Sequence, residues 1–268
     1  MRVEITSLRY LGFFIFGSML GSFLNVCILR IPANQSVVTP PSYCPQCKRP
    51  IRWFDNIPCV SYFLLKGRCR DCHSVISAQY VMIETVTGGV AVLYAVFFGW
   101  TAQMVIYLLL SYAFLVGTVI DLRYRIIPDE ITYPGIIAGL FLSVLFPSLH
   151  QRESWVGGLL QSVIGILVGG GFIYLTATVV EKIIKKEAMG GGDLKLLAMI
   201  GSFLGWKGAL WSIFFSSLFG SVIGLYYKFR RGEETIAFGP HIAAAAVLYM
   251  FVGPRIFNWY IGSLGFAS

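Results

Sequence analysis

Charged side chains are scarce in this 268-residue chain: Asp, Glu, Lys and Arg make up 13% of the sequence, and hydrophobic residues make up 56%. Soluble globular domains carry about 25% charged residues. So few charges leave too little polar surface for a soluble domain, which excludes that class. The chain is therefore predicted to lie within a lipid bilayer.

Polar interruptions are also few, and most of the apolar stretches between them have the length of a membrane-crossing helix, about 17 to 25 residues. The sixth stretch is shorter and is predicted to be a short or tilted helix. The predicted fold class is an all-α polytopic membrane protein of about eight transmembrane helices with one small cytoplasmic zinc-binding insertion. The eight predicted spans are residues 8–29, 80–100, 103–121, 131–149, 155–180, 194–206, 208–228 and 238–262.

Lysine and arginine are unevenly distributed over the connecting loops. If every predicted span crosses and the first loop is cytoplasmic, 16 of the 21 Lys and Arg residues lie on the cytoplasmic side, as expected for inside loops. A crossing by the sixth span is favoured because without it Lys228, Arg230 and Arg231 would lie outside. The net charge of +8 is explained by orientation and by contact with anionic membrane lipid, so no nucleic-acid partner is inferred.

One polar segment, residues 30–79, interrupts the hydrophobic pattern and contains two C-x-x-C pairs separated by 21 residues. This spacing is close to that of four-thiolate zinc sites, and metal coordination would stabilise a segment too small to fold on its apolar surface alone. Zinc or another thiophilic metal is predicted, with two disulfides as the alternative that a reducing cytoplasm disfavours. Cys27 and Cys59 lack a partner at ligand spacing and are predicted to be packed side chains. The predicted ligands are Cys44, Cys47, Cys69 and Cys72.

Acidic residues are rare at the ends of the predicted spans, where each one is a functional candidate. Asp121 ends the third span, and Asp193 follows Gly190-Gly191-Gly192 at the start of the sixth. In the predicted topology both lie near the cytoplasmic face. A backbone without Cβ atoms can bend sharply and approach a neighbouring chain closely, which would bring the two carboxylates together. Such a pair titrates as a unit and can hydrolyse a peptide bond, because one acid activates water while the other donates to the carbonyl.

Other roles for the two aspartates fit the same pattern. Asp121 can pair with Arg123, Arg125 or Lys195, and Asp193 can cap its helix N-terminus. A transporter that relays protons would also carry acids in the membrane, although the inverted repeats of many such folds are not evident in this sequence. An assembly scaffold is a third class, and a scaffold would not require both acids.

Long motifs surround both aspartates. Residues 121–129 are DLRYRIIPD, and residues 188–206 are AMGGGDLKLLAMIGSFLGW. Further short motifs occur along most of the chain: Gly21 to Val26, Arg30, the two cysteine pairs, Asn56-Ile57-Pro58, Glu84 and Phe238-Gly239-Pro240. Together these motifs resemble the bacterial prepilin peptidases, the type IV leader peptidases that also carry N-methyltransferase activity.

The resemblance implies an intramembrane aspartyl endopeptidase of the bacterial inner membrane. Its substrates would be type IV prepilins and pilin-like precursors, cut after a glycine at the cytoplasmic side, and the new N-terminus would be methylated with S-adenosylmethionine. The resemblance also implies structural zinc at the four cysteines and catalytic roles for Asp121 and Asp193. Supporting motif residues are Gly190, Gly191, Gly192, Lys195 and Asp129.

No motif locates the site of the methyl donor, because the sequence has no glycine-rich nucleotide loop of a strand-and-helix fold. Asn25, Arg30 and Glu84 are the candidate methyltransferase residues. Asn25 and Glu84 have an alternative role as interhelical hydrogen-bonding groups. Before Glu84 the chain departs from the Arg-Tyr-Pro of many family members, since residues 79–81 are Gln-Tyr-Val.

Three domains are predicted from these boundaries. Residues 1–29 form the first transmembrane helix, residues 30–79 a cytoplasmic zinc-binding domain associated with methyl transfer, and residues 80–268 a seven-helix membrane peptidase domain.

Overall fold

The computed structural model describes residues 2–185, 190–231 and 237–263, and these residues fold into helices joined by short connections and one longer polar segment. Within them, β-structure is limited to two isolated bridges, Tyr43 with Pro50 and Arg68 with Val75. The predicted all-α fold class is confirmed. The helices are α1 (Arg2–Arg30), α2 (Val60–Leu64), α3 (Ala78–Phe98), α4 (Ala102–Tyr124), α5 (Asp129–Leu145), α6 (Trp155–Ile166), α7 (Ile173–Ile184), α8 (Gly191–Arg231) and α9 (Gly239–Ser263).

The helices correspond to the predicted spans with two differences. Six helical stretches among the described residues are long and apolar enough to cross a membrane. α5 has 17 residues and is shorter than the predicted fourth span, because the chain turns into a 3-10 helix at Pro147–His150. The sixth and seventh predicted spans both lie within α8, so the number of eight crossings stays a prediction.

α8 is interrupted at Gly205, whose φ of 67° and ψ of −176° leave the helical region. This backbone conformation favours glycine and lies close to the predicted boundary between the sixth and seventh spans. Carbonyl groups before a helix break lose their helical donors. The carbonyl of Ser202 instead accepts hydrogen bonds from Ser143 Oγ at 3.1 Å and from Ser162 Oγ at 2.8 Å.

Residues 1–112 form one compact unit, in which α1 packs against α3 at small residues. A Cβ added at Gly17 would lie 2.7 Å from the Cβ of Ala91, and one added at Gly88 would lie 2.5 Å from Ser18 Oγ. Small residues of this kind let membrane helices approach closely. The polar segment between α1 and α3 belongs to the same unit.

Residues 113–268 form a second compact unit, built around the first half of α8. A Cβ at Gly169, in the π-helical segment Leu167–Phe172, would collide with the carbonyl of Leu197, and one at Gly165 would collide with that of Gly201. Most side chains of residues 196–204 are buried. Asp193 therefore lies in the turn that leads into this buried part of α8. The three predicted domains follow other boundaries and stay a prediction.

Candidate active site and metal centre

Asp121 lies in the last turn of α4 and is 5% exposed. Its Oδ2 accepts a 2.9 Å hydrogen bond from the backbone N–H of Gly239, the first residue of α9. The first N–H groups of a helix have no intrahelical partner and carry partial positive charge. The start of α9 therefore holds the carboxyl group of Asp121 in place.

A glycine is required at position 239 because of space. A Cβ there would lie 2.7 Å from Asp121 Oδ2 and 3.1 Å from Ile127 Cδ1. A side chain at this position would displace the carboxyl group of Asp121 and break its hydrogen bond with the N–H of residue 239. The close approach of α9 to α4 thus depends on the missing Cβ.

Asp193 lies in the first turn of α8 and is half-buried. Ile127 connects the two sites, because a Cβ added at Gly192 would lie 3.0 Å from the Cβ of Ile127. Ile127 thus touches both the glycine before Asp193 and the glycine bound to Asp121. The first turn of α8, which carries Asp193, and the first residue of α9, which binds Asp121, thus both lie against this side chain.

The three glycines before Asp193 contribute a close approach. Gly191 and Gly192 do not have a positive φ. Gly192 meets Ile127, and a Cβ at Gly190 would lie 3.3 Å from Asp193 Oδ2, whereas one at Gly191 would have no atom within 4 Å. The close contact expected from the sequence is found at Gly192.

Asp129 and Lys195 form an ion pair that connects the two aspartate motifs. Lys195 Nζ lies 2.7 Å from Oδ1 and 2.9 Å from Oδ2 of Asp129. The ammonium group also lies 5.0 Å from the ring centroid of Tyr133. Asp129 begins α5 and Lys195 follows Asp193 in α8. Lys195 thus pairs with Asp129 and not with Asp121, which was the alternative considered from the sequence.

Two residues near Asp121 received no role from the sequence, Gly239 and His241. His241 is two residues after Gly239 in α9, and its Nδ1 lies 3.1 Å from the carbonyl oxygen of Ala237. Arg125 donates its backbone N–H to the carbonyl of Asp121 at 2.8 Å. The sequence contains the Phe238-Gly239-Pro240 motif at this position. The motif does not reveal that Asp121 is the partner, because the group that binds Asp121 is a backbone N–H.

The sulfur atoms of Cys44, Cys47, Cys69 and Cys72 all lie within 4.8 Å of one another. The Sγ atoms of Cys44 and Cys72 are 3.8 Å apart. A tetrahedral zinc ion with bonds of about 2.3 Å to sulfur requires edges of about 3.8 Å. The predicted clustering of the four cysteines is confirmed, and the group can bind a metal ion.

The two cysteine pairs share one backbone pattern. The N–H of Lys48 donates to the carbonyl of Cys44 at 2.8 Å, and that of His73 donates to the carbonyl of Cys69 at 3.0 Å. Lys48 and His73 each have a positive φ, 60° and 58°. Two equivalent tight turns thus present their sulfur atoms to a common centre.

Hydrogen bonds to sulfur lower the pKa of two thiols in this cluster, which lies outside the spanning helices. For Cys47 the backbone N–H of Arg49 acts in the same direction, but burial and the neighbouring thiols of Cys44 and Cys72 raise its pKa to about 11. The backbone N–H of Cys47 lowers the pKa of the Cys44 thiol to about 6. The hydroxyl of Ser74 lowers the pKa of Cys72 below its ordinary value. Since the thiolate is the form that binds metal, these two groups are prepared for coordination.

Ion pairs brace the cysteine turns against the rest of the polar segment. Arg70 Nη2 lies 2.6 Å from Asp55 Oδ1, and Arg70 Nε lies 2.9 Å from Asp55 Oδ2. These hydrogen bonds hold the pKa of Asp55 below its usual range. Arg49 lies 3.3 Å from Asp71 on the second cysteine pair.

Asn25 is fully buried between α1 and α3. Its Nδ2 donates to the carbonyl groups of Gly21 at 3.3 Å and Tyr80 at 3.2 Å. Its Oδ1 has no hydrogen-bond partner among the described residues. Asn25 thus forms the interhelical hydrogen bond of its alternative role and still has a buried acceptor atom.

The other two methyltransferase candidates bind backbone groups. Glu84 is buried in α3, and its Oε2 accepts the N–H of Cys59 at 2.7 Å. Arg30 is buried at the end of α1 and donates to the carbonyl groups of Ser36 at 3.0 Å and Pro41 at 3.4 Å. Arg30 therefore attaches the start of the polar segment to α1, and Glu84 attaches the middle of the segment to α3.

Two family models match the chain. The Bacterial Peptidase A24 N-terminal domain matches residues 15–98, and the Type IV leader peptidase family matches residues 105–225. The first match includes the four cysteines, and the second includes both aspartates. No solved structure matches the chain significantly.

Curated relatives carry the name prepilin leader peptidase/N-methyltransferase. The relative from Myxococcus xanthus is 37% identical over 82% of this chain, which spans 63% of the length of that relative. The relative from Aeromonas salmonicida is 32% identical over 94% of this chain and 93% of its own length. That from Pseudomonas aeruginosa is 32% identical over 93% and 92%. The resemblance found in the sequence is confirmed, and the chain belongs to the type IV leader peptidase family, a family of aspartic proteases.

Proposed function

We propose that this chain removes the basic leader of type IV prepilins and pilin-like precursors after a glycine and then methylates the new N-terminus. The observation that carries this proposal is that Ile127 lies against both Gly192, the residue before Asp193, and Gly239, whose N–H binds Asp121. The family to which the chain belongs and the names of its relatives support the choice of substrate.

Asp121 and Asp193 are the proposed catalytic pair. One carboxylate takes a proton from the attacking water, and the other, protonated, donates to the carbonyl oxygen of the scissile bond. The N–H of Gly239 orients the carboxyl group of Asp121. The ion pair of Asp129 with Lys195 supports the site by joining the start of α5 to the first turn of α8. This arrangement hydrolyses a peptide bond without a covalent intermediate.

The proposed location is the bacterial inner membrane, with the active site at the cytoplasmic face. The distribution of Lys and Arg supports this orientation. Asp121 ends a membrane-spanning helix and Asp193 begins another, so both lie at the depth of a membrane surface. A precursor whose hydrophobic helix lies in the bilayer presents its leader junction at this depth.

We propose that the four cysteines hold a structural zinc ion. Four thiolates complete a tetrahedron and leave no position for substrate. Zinc would stabilise a polar segment that has little apolar core, because the binding free energy contributes directly to folding.

For methyl transfer, S-adenosylmethionine supplies the methyl group when it is bound. The buried Oδ1 of Asn25 and the carboxylate of Glu84 can accept hydrogen bonds from an amino group. Arg30 fixes the chain that leaves α1. We propose these three residues as the methyltransferase candidates of this chain.

The proposal is tested by incubating the purified protein in lipid with a pilin-like precursor, with and without S-adenosylmethionine, and measuring product masses. Loss of the leader in both samples, with the mass of one methyl group added only in the second, is expected. An intact precursor in both would contradict the peptidase. A cleaved but unmethylated product in both would contradict the methyltransferase alone.

A further inference from the structure

Helix α2, in the polar segment of the first unit, exposes its apolar side. Val60, Phe63 and Leu64 lie at positions i, i+3 and i+4, which share one face of a helix, and are 50%, 70% and 74% exposed. The polar Ser61 is buried and bonds to the carbonyl of Phe54 at 3.0 Å. This orientation is the reverse of that of a helix on a water-soluble domain.

The neighbouring 3-10 turn, Trp53–Asp55, packs against α2 and carries another exposed apolar side chain. Trp53 is 81% exposed. We call Trp53, Val60, Phe63 and Leu64 the α2 patch. Contiguous exposed apolar groups of this kind mark a surface that binds protein or membrane.

The level of the α2 patch is fixed by Cys59, the residue before α2. The N–H of Cys59 donates to Glu84 Oε2 at 2.7 Å, and its Sγ lies 3.5 Å from Thr85 Oγ1. Glu84 is six residues after Ala78, the start of spanning helix α3, which is about 9 Å along the axis. α2 therefore begins beside the spanning helix, at the level of the membrane interface.

The charge around the α2 patch is positive. Residues 31–77 contain six Lys and Arg residues and two Asp, a balance of +4. Both aspartates are already in ion pairs with arginines, Asp55 with Arg70 and Asp71 with Arg49. Lys66 and Arg68 directly follow α2 and are exposed. An apolar face beside exposed cations is typical of segments that lie in an anionic membrane surface.

We propose that the α2 patch inserts into the headgroup region of an anionic bilayer, with Lys66 and Arg68 binding lipid phosphates. The polar segment would then be held at the membrane surface by a third attachment in addition to α1 and α3. Trp53 and Phe63 act as interfacial aromatic anchors.

The test uses the full-length protein in nanodiscs of phosphatidylcholine and phosphatidylglycerol. The emission of Trp53 is obtained as the difference between wild type and Trp53→Phe. Loss of most of this emission is expected with lipids brominated close to the headgroup, together with protection from aqueous acrylamide. Quenching by acrylamide but not by brominated lipid would overturn the proposal, because the α2 patch would lie in water. Protection from both quenchers would also overturn it, because protein would then cover the patch.

A second comparison uses variants that carry a charge on the apolar face. Phe63→Glu with Leu64→Glu is expected to expose Trp53 to acrylamide. Val38→Glu, at a position in the same segment that is 79% exposed, is the control and should leave the quenching unchanged. Retained metal at the four cysteines shows that the segment is still folded. Lys66→Ala with Arg68→Ala should show weaker lipid quenching than wild type in nanodiscs rich in phosphatidylglycerol, and the difference should disappear in nanodiscs with little phosphatidylglycerol. Equal quenching of all variants would overturn the proposal.

Discussion

The backbone N–H of Gly239 and the carboxyl group of Asp121 are joined by a 2.9 Å hydrogen bond although 118 residues separate them in the chain. The start of α9 lies so close to the end of α4 that there is no room for a side chain at position 239. One backbone group thus determines where this carboxylate points.

Gly239→Ala is expected to lower kcat/KM for leader cleavage by about tenfold or more, the equivalent of losing a hydrogen bond to a charged group. The new Cβ would lie 2.7 Å from Asp121 Oδ2 and displace it. Gly117→Ala is the matched control in α4, because a Cβ there has no atom within 4 Å. Equal activities of the two variants would show that the hydrogen bond has no role in catalysis.

The ion pair of Asp129 and Lys195 is expected to matter much less than the catalytic pair. Both side chains are partly exposed, 52% and 33%, and pairs of this kind contribute roughly 0 to 1 kcal/mol. Asp129→Asn and Lys195→Met should each lower the rate of cleavage by less than about tenfold. The double variant should lower the rate by no more than the product of the two single effects. Complete loss of cleavage in Asp129→Asn would instead make Asp129 a catalytic acid.

Cys44→Ser is expected to release the metal and to make residues 30–79 sensitive to protease. The ion contributes to the folding of this segment, so losing one thiolate lowers both affinity and stability. Metal content measured by mass spectrometry checks this prediction. Cys27→Ala is the control, because Cys27 is buried in α1 and is not part of the cluster. Wild-type protein without bound zinc would contradict the structural-zinc proposal.

His150 should make stability depend on pH. His150 lies in the 3-10 helix after α5, outside the spanning helices, and its Nε2 is 2.7 Å from Ser143 Oγ. Burial lowers the pKa of His150 from 6.5 to about 4 in the folded protein. Because the unfolded chain takes up the proton first, the contribution is complete above pH 6.5 and is lost as the pH falls toward 4. A shift of this size corresponds to about 3 kcal/mol.

The measurement is the Tm in detergent as a function of pH. Wild type should lose Tm between pH 6.5 and 4 more steeply than His150→Gln, whose amide can still donate to Ser143. Parallel profiles would show that His150 takes up its proton equally in both states.

The helices and the metal cluster could be predicted because their signals are local. Apolar runs of the correct length indicate spanning helices, and the spacing of the cysteine pairs indicates a common ligand set. The predicted boundary between the sixth and seventh spans lies within a few residues of Gly205, where α8 is interrupted. The physical details of the interruption, including the hydroxyl groups that bind Ser202, depend on neighbours far away in the sequence.

The candidate site could be predicted only in part. The acids were recognised because charge at the end of an apolar span is rare. Gly239 received no role because its functional group is a backbone N–H, which every residue except proline has. The partner of Lys195 cannot be chosen from the sequence because three cations and three acids allow several pairings, and only the packing of α5 against α8 selects Asp129.

The most direct test of the central claim measures leader cleavage by Asp121→Asn and Asp193→Asn in membranes, with a Tm equal to that of wild type as proof that each variant is folded. Asparagine keeps the shape of the side chain but cannot share or transfer the proton. Both variants are predicted to yield no detectable cleaved product by mass measurement. Wild-type levels of cleaved product from either folded variant would contradict catalysis by this pair.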